Sequence, residues 1–470
     1  MFNLNELKKL LNPISITGNI SEFNISGVIT DTRQNCKNKM FLALEGENFN
    51  GHDFVEQAIN AGCTALCLKQ KIANLYSNYS IPIIGVQDTL KAYQLMAALH
   101  RNNVNCTVIG ITGSSGKTSC KEILYSILSE KFGEKQVLCT KANTNNHIGV
   151  PLNLLNLNHN HKFAIIEMGT NHPGEIAVLA KIAMPDICII TSIGHAHIEA
   201  FKNLNGVAEE KTDVFMQTTN FLGKTRTPIA IIPDSLINNT IFKNKLIQHK
   251  ILSFGSEPSA DLQYKYLGGN FKGSSFSFKH NLDQNWNKPI RWQLHGAHQA
   301  SNALAATLVA LELNINLKII EKALSKCSLP GMRMNIFEKD NNIFINDAYN
   351  ANPESVIAVL HWLKEAANNE NFKQQQILII LGDILESGEN KDEIHYNILK
   401  LAIKLFPLST ILAVGNTMFK IASDLNSSNI YKFKNSIDTT DFISSITNDD
   451  KYIILLKGSR GIALENCCPK

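Results

Sequence analysis

Hydrophobic residues along this chain fall into two alternating rhythms. From 107 onward, short β-branched runs, VIGIT (108–112), FAIIEM (163–168) and ICIITSI (187–193), alternate with helical spacing beginning at Lys117 and near 174–182. Apolar runs of that length, each followed by a helix, predict parallel strands covered by helices. A long helix is predicted over HQASNALAATLVALEL (298–313). Beyond LPGMR (329–333) the rhythm restarts: IFIND (343–347), a helix from Pro353, ILIILGD (377–383), a helix near 391–405, TILAVG (410–415) and YIILLKG (452–458). Pro330-Gly331 punctuates the two rhythms and predicts a hinge. The opening segment differs. An amphipathic helix with Phe2, Leu4, Leu7, Leu10 and Leu11 precedes short strands in VITDTR, MFLAL and TALCL and a helix near 53–61. The pattern predicts an α/β protein of three domains. A small mixed α/β unit spans 1–103, a central, mostly parallel sheet 104–331, and a Rossmann-like α/β unit 332–470.

Composition narrows the partners. The 470 residues carry 44% hydrophobic and 18% charged side chains, and a net charge of only +4 from scattered Lys and Arg. That balance gives no basis for nucleic acid as a partner. The longest apolar runs, ILIIL (377–381) and YIILL (452–456), are far shorter than the ~20 residues needed to cross a bilayer. Without a signal-peptide pattern or membrane insertion, a cytoplasmic, monomeric protein is expected. The ten cysteines are dispersed, and neither Cys63/Cys67 nor Cys467/Cys468 has a companion pair at zinc-like spacing. Reduced, buried thiols are expected.

The candidate chemistry begins at VIGITGSSGKTSCKEIL (108–124). A strand, a Gly/Ser-rich loop, Lys-Thr and a helix make a phosphate cradle from backbone N–H groups and the helix dipole. The residues concerned are Gly113, Ser114, Ser115, Gly116, Lys117, Thr118 and Ser119. The general rule of Gly, four residues, then Gly-Lys-Ser/Thr is not met, because Ile111 stands at its first position. Lys117 still offers charge to β/γ-phosphates, and the Thr118 hydroxyl offers a ligand to Mg²⁺.

This spaced loop resembles the ATP-binding loop of the Mur ligases, which build the peptide of the bacterial cell wall. The resemblance recurs in order along nearly the whole chain. TKANTNNHIGVPLNLL (140–155) is similar to the family's asparagine-rich segment, implying substrate contacts for Asn145 and Asn146. Glu167, ending FAIIEMG, matches a Mg²⁺-binding glutamate, and His197 in SIGHAHIEAF (192–201) a metal-binding histidine. Lys211 in VAEEKTDVF (207–215) matches a lysine that carries a carbamate. By likeness, one Mg²⁺ would bind Thr118 and Glu167, and a second His197 and carbamylated Lys211. Asn302 in GAHQASNALAA (296–306) matches a position near adenine, the favoured reading, the alternative being a helix-buried polar group. Two departures, Ala142 and Thr212-Asp213, replace no proposed catalytic group.

The outer domains extend the likeness. LPGMR, INDAYNANPES (345–355), LGDILESGE (381–389) and LLKGSRG (455–461) are similar to stretches of the family member that joins D-alanyl-D-alanine to UDP-N-acetylmuramoyl-tripeptide. The resemblance implies that Arg333 reaches ATP phosphate, that Asp347 bonds the ribose, and that Asn350, Asn352, Lys457 and Arg460 line the dipeptide cleft. In the stretch 29–62, Thr32, Arg33, Asn48, Asn50 and His52 would face the UDP-sugar. The implied central domain is a P-loop-type ATPase, and the implied chemistry is acyl-phosphate activation of a carboxylate by ATP. Alternatives are a Mur ligase of an earlier step, a nucleotide-driven switch, and a non-catalytic UDP-sugar binder.

Overall fold

The β-branched runs become the strands Thr107–Thr112, Phe163–Glu167 and Ile187–Ile190, which pair side by side in parallel. Side chains on both faces are buried, as strands covered by helices require. Register sets Glu167 beside Ile111 and Ile190 beside Thr112, so the carboxyl ends of all three strands share one edge. An open α/β sheet holds its ligands at such an edge. The computed structural model describes residues 1–470 apart from 24, 220–222, 224, 284, 370–371, 374–375, 426, 448–450 and 469–470.

Among the described residues these strands belong to a nine-stranded sheet. It is parallel from Val137–Cys139 as far as Leu262–Asn270, then antiparallel through Gly273–His280 and Ile290–Trp292. That antiparallel extension was not expected from the sequence. Its signal is the period of two in SSFSFKH, where Phe276 and Phe278 are buried. On one face, the phosphate-loop helix Lys117–Phe132 shares a core with Ala297–Glu312 and Leu317–Lys326, including Ile123, Ile127, Ala303 and Leu324.

The N-terminal sheet has the order Ser15–Thr17, Ile83–Val86, Ala65–Lys69, Met40–Leu42, Val28–Ile29, and only its first pair is antiparallel. Its core continues without a break into the central unit through helix Thr89–Asn103, by way of Tyr93, Met96 and Val108. The first helix, Leu4–Leu11, starts with a capping box between Asn3 and Glu6 and buries Leu7 in that same core.

The C-terminal sheet has six strands in the order Asn335–Lys339, Asn342–Asn346, Ile453–Lys457, Ile377–Gly382, Thr410–Val414, Ile430–Phe433, again with one antiparallel edge pair. Between helix Leu317–Lys326 and the first of these strands, residues 327–334 form neither helix nor strand. Gly331 there has φ +71°, a left-handed conformation that side chains resist. Helix Pro353–Asn369 leans on the central hairpin: Trp362 meets the edge of Phe271 at 5.9 Å, and Glu365 accepts the Gly269 N–H at 2.8 Å.

Candidate active site

The phosphate loop is held in shape from behind. Strand end 191–194 stitches it down: the Ser114 N–H donates to the Ser192 carbonyl (2.9 Å), the Ser115 N–H to Ser192 Oγ (2.9 Å), and the Ser114 hydroxyl to the Gly194 carbonyl (3.0 Å). The Thr191 hydroxyl bonds the Ser115 carbonyl. Gly116 has φ +83°, and a Cβ there would run into the Asn302 side chain, so glycine is required twice over. Lys117 folds its ammonium over the loop, 2.7 Å from the Gly113 carbonyl and 3.4 Å from that of Ser114. Burial holds this ammonium below the ordinary lysine range; Glu167 opposes the shift and Arg333 adds to it. Ser119 is buried in the helix below.

Glu167 faces this loop. Its carboxylate accepts the Thr118 hydroxyl at 3.0 Å and the Asn145 amide at 2.9 Å, and its backbone N–H is anchored on Thr140 Oγ1 at 3.0 Å. From the connector 327–334, Arg333 donates to Thr118 Oγ1 at 3.0 Å, its guanidinium 4.0 Å from the centre of the Tyr349 ring. A carboxylate and a hydroxyl beside a phosphate loop fit Mg²⁺, which takes few protein oxygens and completes its shell with phosphate and water. Asn146 is engaged differently: its side chain accepts the N–H groups of Ile148 and Gly149 and starts the helix Gly149–Leu155.

A second group gathers beside the first. His197, with φ +53°, points Nδ1 at Glu386 of the C-terminal unit, 2.5 Å away. Burial lowers its pKa; Glu386 opposes, while Lys117 and Lys211 reinforce the shift. Lys211 is buried, and its pKa lies well below the usual lysine value because of that burial and of Lys117. The neighbouring Glu210 does not neutralise it by contact, since its carboxylate accepts the N–H groups of Gly174 (2.6 Å) and Ile176 (2.8 Å) and the Thr170 hydroxyl (3.1 Å). An imidazole and an ammonium alone do not suit a hard dication. A carbamate on Lys211 would supply the missing carboxylate, and a buried lysine with a lowered pKa is the nucleophile that CO₂ addition needs.

The C-terminal residues divide. Asn352 reaches the phosphate loop, donating to Ser115 Oγ at 2.6 Å while its own Oδ1 accepts the Ser355 N–H and starts helix Pro353–Asn369. Asp347, expected on the ribose, has both oxygens engaged: one accepts the Met334 N–H in the hinge (3.1 Å), the other pairs with Lys457 (2.8 Å). Lys457, expected to line the cleft, is buried under that turn and also donates to the Asn350 carbonyl at 2.7 Å. The reason is physical, because a buried ammonium must be paired. Asn350 keeps its side chain local, accepting the Ala351 N–H at 2.9 Å. Arg460 is exposed and pairs with Glu465 at 2.6 Å. Asn302 buttresses Gly116 and donates to Gln299 at 3.2 Å, contacts that fit the buried-polar alternative.

In the N-terminal sheet, Thr32 and Arg33 follow strand Val28–Ile29, and Asn48, Asn50 and His52 follow the adjacent parallel strand Met40–Leu42. Arg33 and Asn48 are exposed, with Arg33 paired to Asp31 at 2.7 Å. His52 is buried and structural: Nε2 accepts the Lys69 N–H at 3.0 Å, and Nδ1 lies 3.3 Å from Glu45. Asn50 accepts the His52 N–H at 3.1 Å and caps the turn. Sequence reasoning missed Thr140, Tyr349, Glu354 and Glu386. All four lie in stretches singled out above, and for Glu354 and Glu386 the carboxylates were the available signal.

Known proteins resemble this chain along nearly its whole length. Residues 24–101 match the model described as Mur ligase family, catalytic domain, residues 111–310 the Mur ligase middle domain, and 332–460 the Mur ligase, glutamate ligase domain. The UDP-N-acetylmuramoyl-tripeptide–D-alanyl-D-alanine ligase of Buchnera aphidicola subsp. Baizongia pistaciae is 35% identical, over 98% of this chain and 96% of that one. The enzyme of that name from Haemophilus influenzae is 31% identical, over 94% and 92%. A crystal structure of MurF from Acinetobacter baumannii superposes with a TM-score of 0.85 at 28% identity, covering 99% of this chain and 97% of that one. With full-length relatives above 30% identity, and a phosphate loop facing a carboxylate at the sheet edge, the chain belongs to the Mur ligase family.

Proposed function

We propose that this chain is an ATP-dependent ligase that adds D-alanyl-D-alanine to UDP-N-acetylmuramoyl-tripeptide, producing the UDP-linked pentapeptide for peptidoglycan. The observation that carries the reading is the full-length likeness to ligases of that name, together with a phosphate loop reached by Arg333 from the connector and by Asn352 from across the hinge. No helix among the described residues is long and apolar enough to cross a membrane. An ATP-dependent step on a UDP-linked substrate supports a cytoplasmic location.

A free carboxylate is a poor acyl donor. The tripeptide's terminal carboxylate attacks the γ-phosphorus of ATP, the bond to the β–γ bridging oxygen breaks, and ADP leaves an acyl phosphate. The dipeptide amine, having lost a proton, attacks the acyl carbon, and inorganic phosphate departs with the carboxylate oxygen. Lys117 and Arg333 set positive charge against the transferring phosphoryl oxygens, which is the main contribution a protein makes to such a step. Thr118 and Glu167 would hold one Mg²⁺, and His197 with a carbamate on Lys211 a second; bound there, the ions supply further charge neutralisation. Asn352 and Arg333 bring the C-terminal unit onto the loop and exclude water that would hydrolyse the acyl phosphate.

The test is phosphate release from Mg-ATP with UDP-muramoyl-tripeptide, with and without D-Ala-D-Ala. Release that requires both, with the UDP-pentapeptide appearing by mass, is the expected result. Release only with UDP-muramoyl-dipeptide and a diamino acid would move the enzyme one step earlier in the same assembly.

A further inference from the structure

Asn352 and Glu354, at the start of helix Pro353–Asn369, meet the phosphate loop in two different ways. Asn352 donates to Ser115 Oγ directly, at 2.6 Å. Glu354 reaches the loop through a peptide group. One of its carboxylate oxygens accepts the His195 backbone N–H at 3.0 Å and faces His195 Nδ1 at 2.7 Å. The carbonyl of that same Gly194–His195 peptide accepts the Ser114 hydroxyl at 3.0 Å, and the Gly194 N–H donates back to Ser114 Oγ at 2.9 Å. The Ser114 hydroxyl, the peptide and the carboxylate thus form one chain of hydrogen bonds, in which each bond polarises the next.

The fit leaves no room for a side chain at 194. The three nearest neighbours of a Cβ there would be the Glu354 carboxyl atoms, at 2.9, 3.0 and 3.1 Å. Gly194 is not among the glycines with positive φ, so the approach of Glu354, and not backbone conformation, is what calls for glycine. The helix start is fixed as well: Asn352 Oδ1 accepts the Ser355 N–H at 2.9 Å, and Ser355 Oγ accepts the Asn352 N–H at 3.1 Å. Asn352 and Glu354 therefore arrive at the loop together. Stability does not account for the contact, because both side chains of the His195–Glu354 pair are 44% exposed and exposed pairs add little to folding.

We propose that Glu354 is a positioning residue for the phosphate loop, acting through the Gly194–His195 peptide on Ser114, so that seating of the C-terminal unit and nucleotide binding favour each other. This rests on the reading of the loop as the ATP site. Coupling of this kind is reciprocal. A chain without the contact is seated a smaller fraction of the time, and its apparent affinity falls by that fraction. Saturating nucleotide restores the seat, so the loss belongs mainly in KM for ATP.

The test measures calorimetric affinity of the full-length chain for a non-hydrolysable ATP analogue with Mg²⁺, and KM and kcat for ATP from phosphate release. Glu354→Ala should weaken the analogue and raise KM about fivefold, the low end for two coupled sites, with a smaller change in kcat and none in Tm. Glu354→Gln, which keeps the acceptor and loses the charge, should fall between. Gly194→Ala should reproduce the loss, since its Cβ displaces the carboxylate. In a Glu354→Ala background it should add nothing, because both changes break one contact. Losses that add in the double variant, or single variants that bind the analogue as wild type does, would overturn the proposal and leave the ATP reading intact. A wild-type chain with no affinity for the analogue would remove the ATP reading, and the proposal with it.

Discussion

The Arg333 guanidinium donates to the Thr118 hydroxyl at 3.0 Å, although 215 positions separate the two residues. One belongs to the hinge and the other opens the phosphate-loop helix, so hinge geometry directly sets where positive charge stands over the loop. The Tyr349 ring, 4.0 Å from the guanidinium, supports it from the C-terminal side. Removing charge aimed at a transferring phosphoryl group costs about 100-fold in kcat, and Arg333→Ala should show that loss in phosphate release. Tyr349→Phe should be near neutral, whereas Tyr349→Leu should lower kcat about fourfold, the scale of one cation–π contact. Equal effects of the Phe and Leu substitutions would show that the ring face is not what steadies Arg333.

Asp347 and Lys457 make a different kind of pair. Lys457 is 3% exposed, so deleting its partner strands a buried ammonium. Asp347→Ala should destabilise the C-terminal unit by about 3 kcal/mol, and Asp347→Ala combined with Lys457→Met should recover most of it, read by urea unfolding. An Asp347→Ala chain of unchanged stability but with a raised KM for ATP would return this carboxylate to the ribose.

Much of this arrangement was legible in the sequence, and the exceptions have causes. Parallel strands were legible because burial on both faces leaves unbroken runs such as FAIIEM and ILIIL. The antiparallel strands 262–292 were not, because alternating Ser and Phe in SSFSFKH gives only the weaker period-two signal. At the site, Lys117, Thr118 and Glu167 come together because they lie at or just past the carboxyl ends of neighbouring strands. Likeness assigned Asp347, Lys457 and His52 to ligand contacts; that the fold buries Lys457 and His52 and pairs Asp347 with Lys457 was not legible, because sequence does not reveal which polar side chain a fold will bury and pair. Glu354 and Glu386 were passed over for the opposite reason: their partners belong to another domain, and no local spacing encodes that.

His295 offers a pH test. It is 7% exposed, lies 5.2 Å from the Trp362 ring where the central hairpin meets the C-terminal helix, and its pKa is pushed down to about 4, chiefly by burial. In the unfolded chain a histidine titrates near its ordinary 6.5. Between those values the unfolded state holds the extra proton, so stability is full above about 6.5 and declines as pH falls toward 4. The decline attributable to this residue is about 3 kcal/mol over the whole span, of which about 2 kcal/mol falls between pH 7 and pH 5, and His295→Gln should remove that part from urea unfolding measured at those two pH values. A variant whose stability falls as steeply as wild type would assign the dependence to other groups, His298 first, since its pKa is also lowered to about 4.

Lys211 yields the last prediction. Carbamate formation joins a neutral amine to CO₂ and releases one proton, so it is favoured by raised pH and by bicarbonate and is undone by acid. Burial and Lys117 lower the pKa of Lys211, which favours the neutral amine that adds CO₂ relative to an ordinary lysine. Enzyme stripped of CO₂ should therefore lose activity, regain it on adding bicarbonate, and lose it again toward acid pH. With ¹³C-bicarbonate the active enzyme should show one protein-bound carbonyl signal that Lys211→Arg abolishes, because a guanidinium stays protonated and does not add CO₂. Full activity without CO₂, and no such signal, would leave Lys211 a cation. The second metal site would then lack its carboxylate, and Lys211 would act on phosphate directly, the role proposed for Lys117.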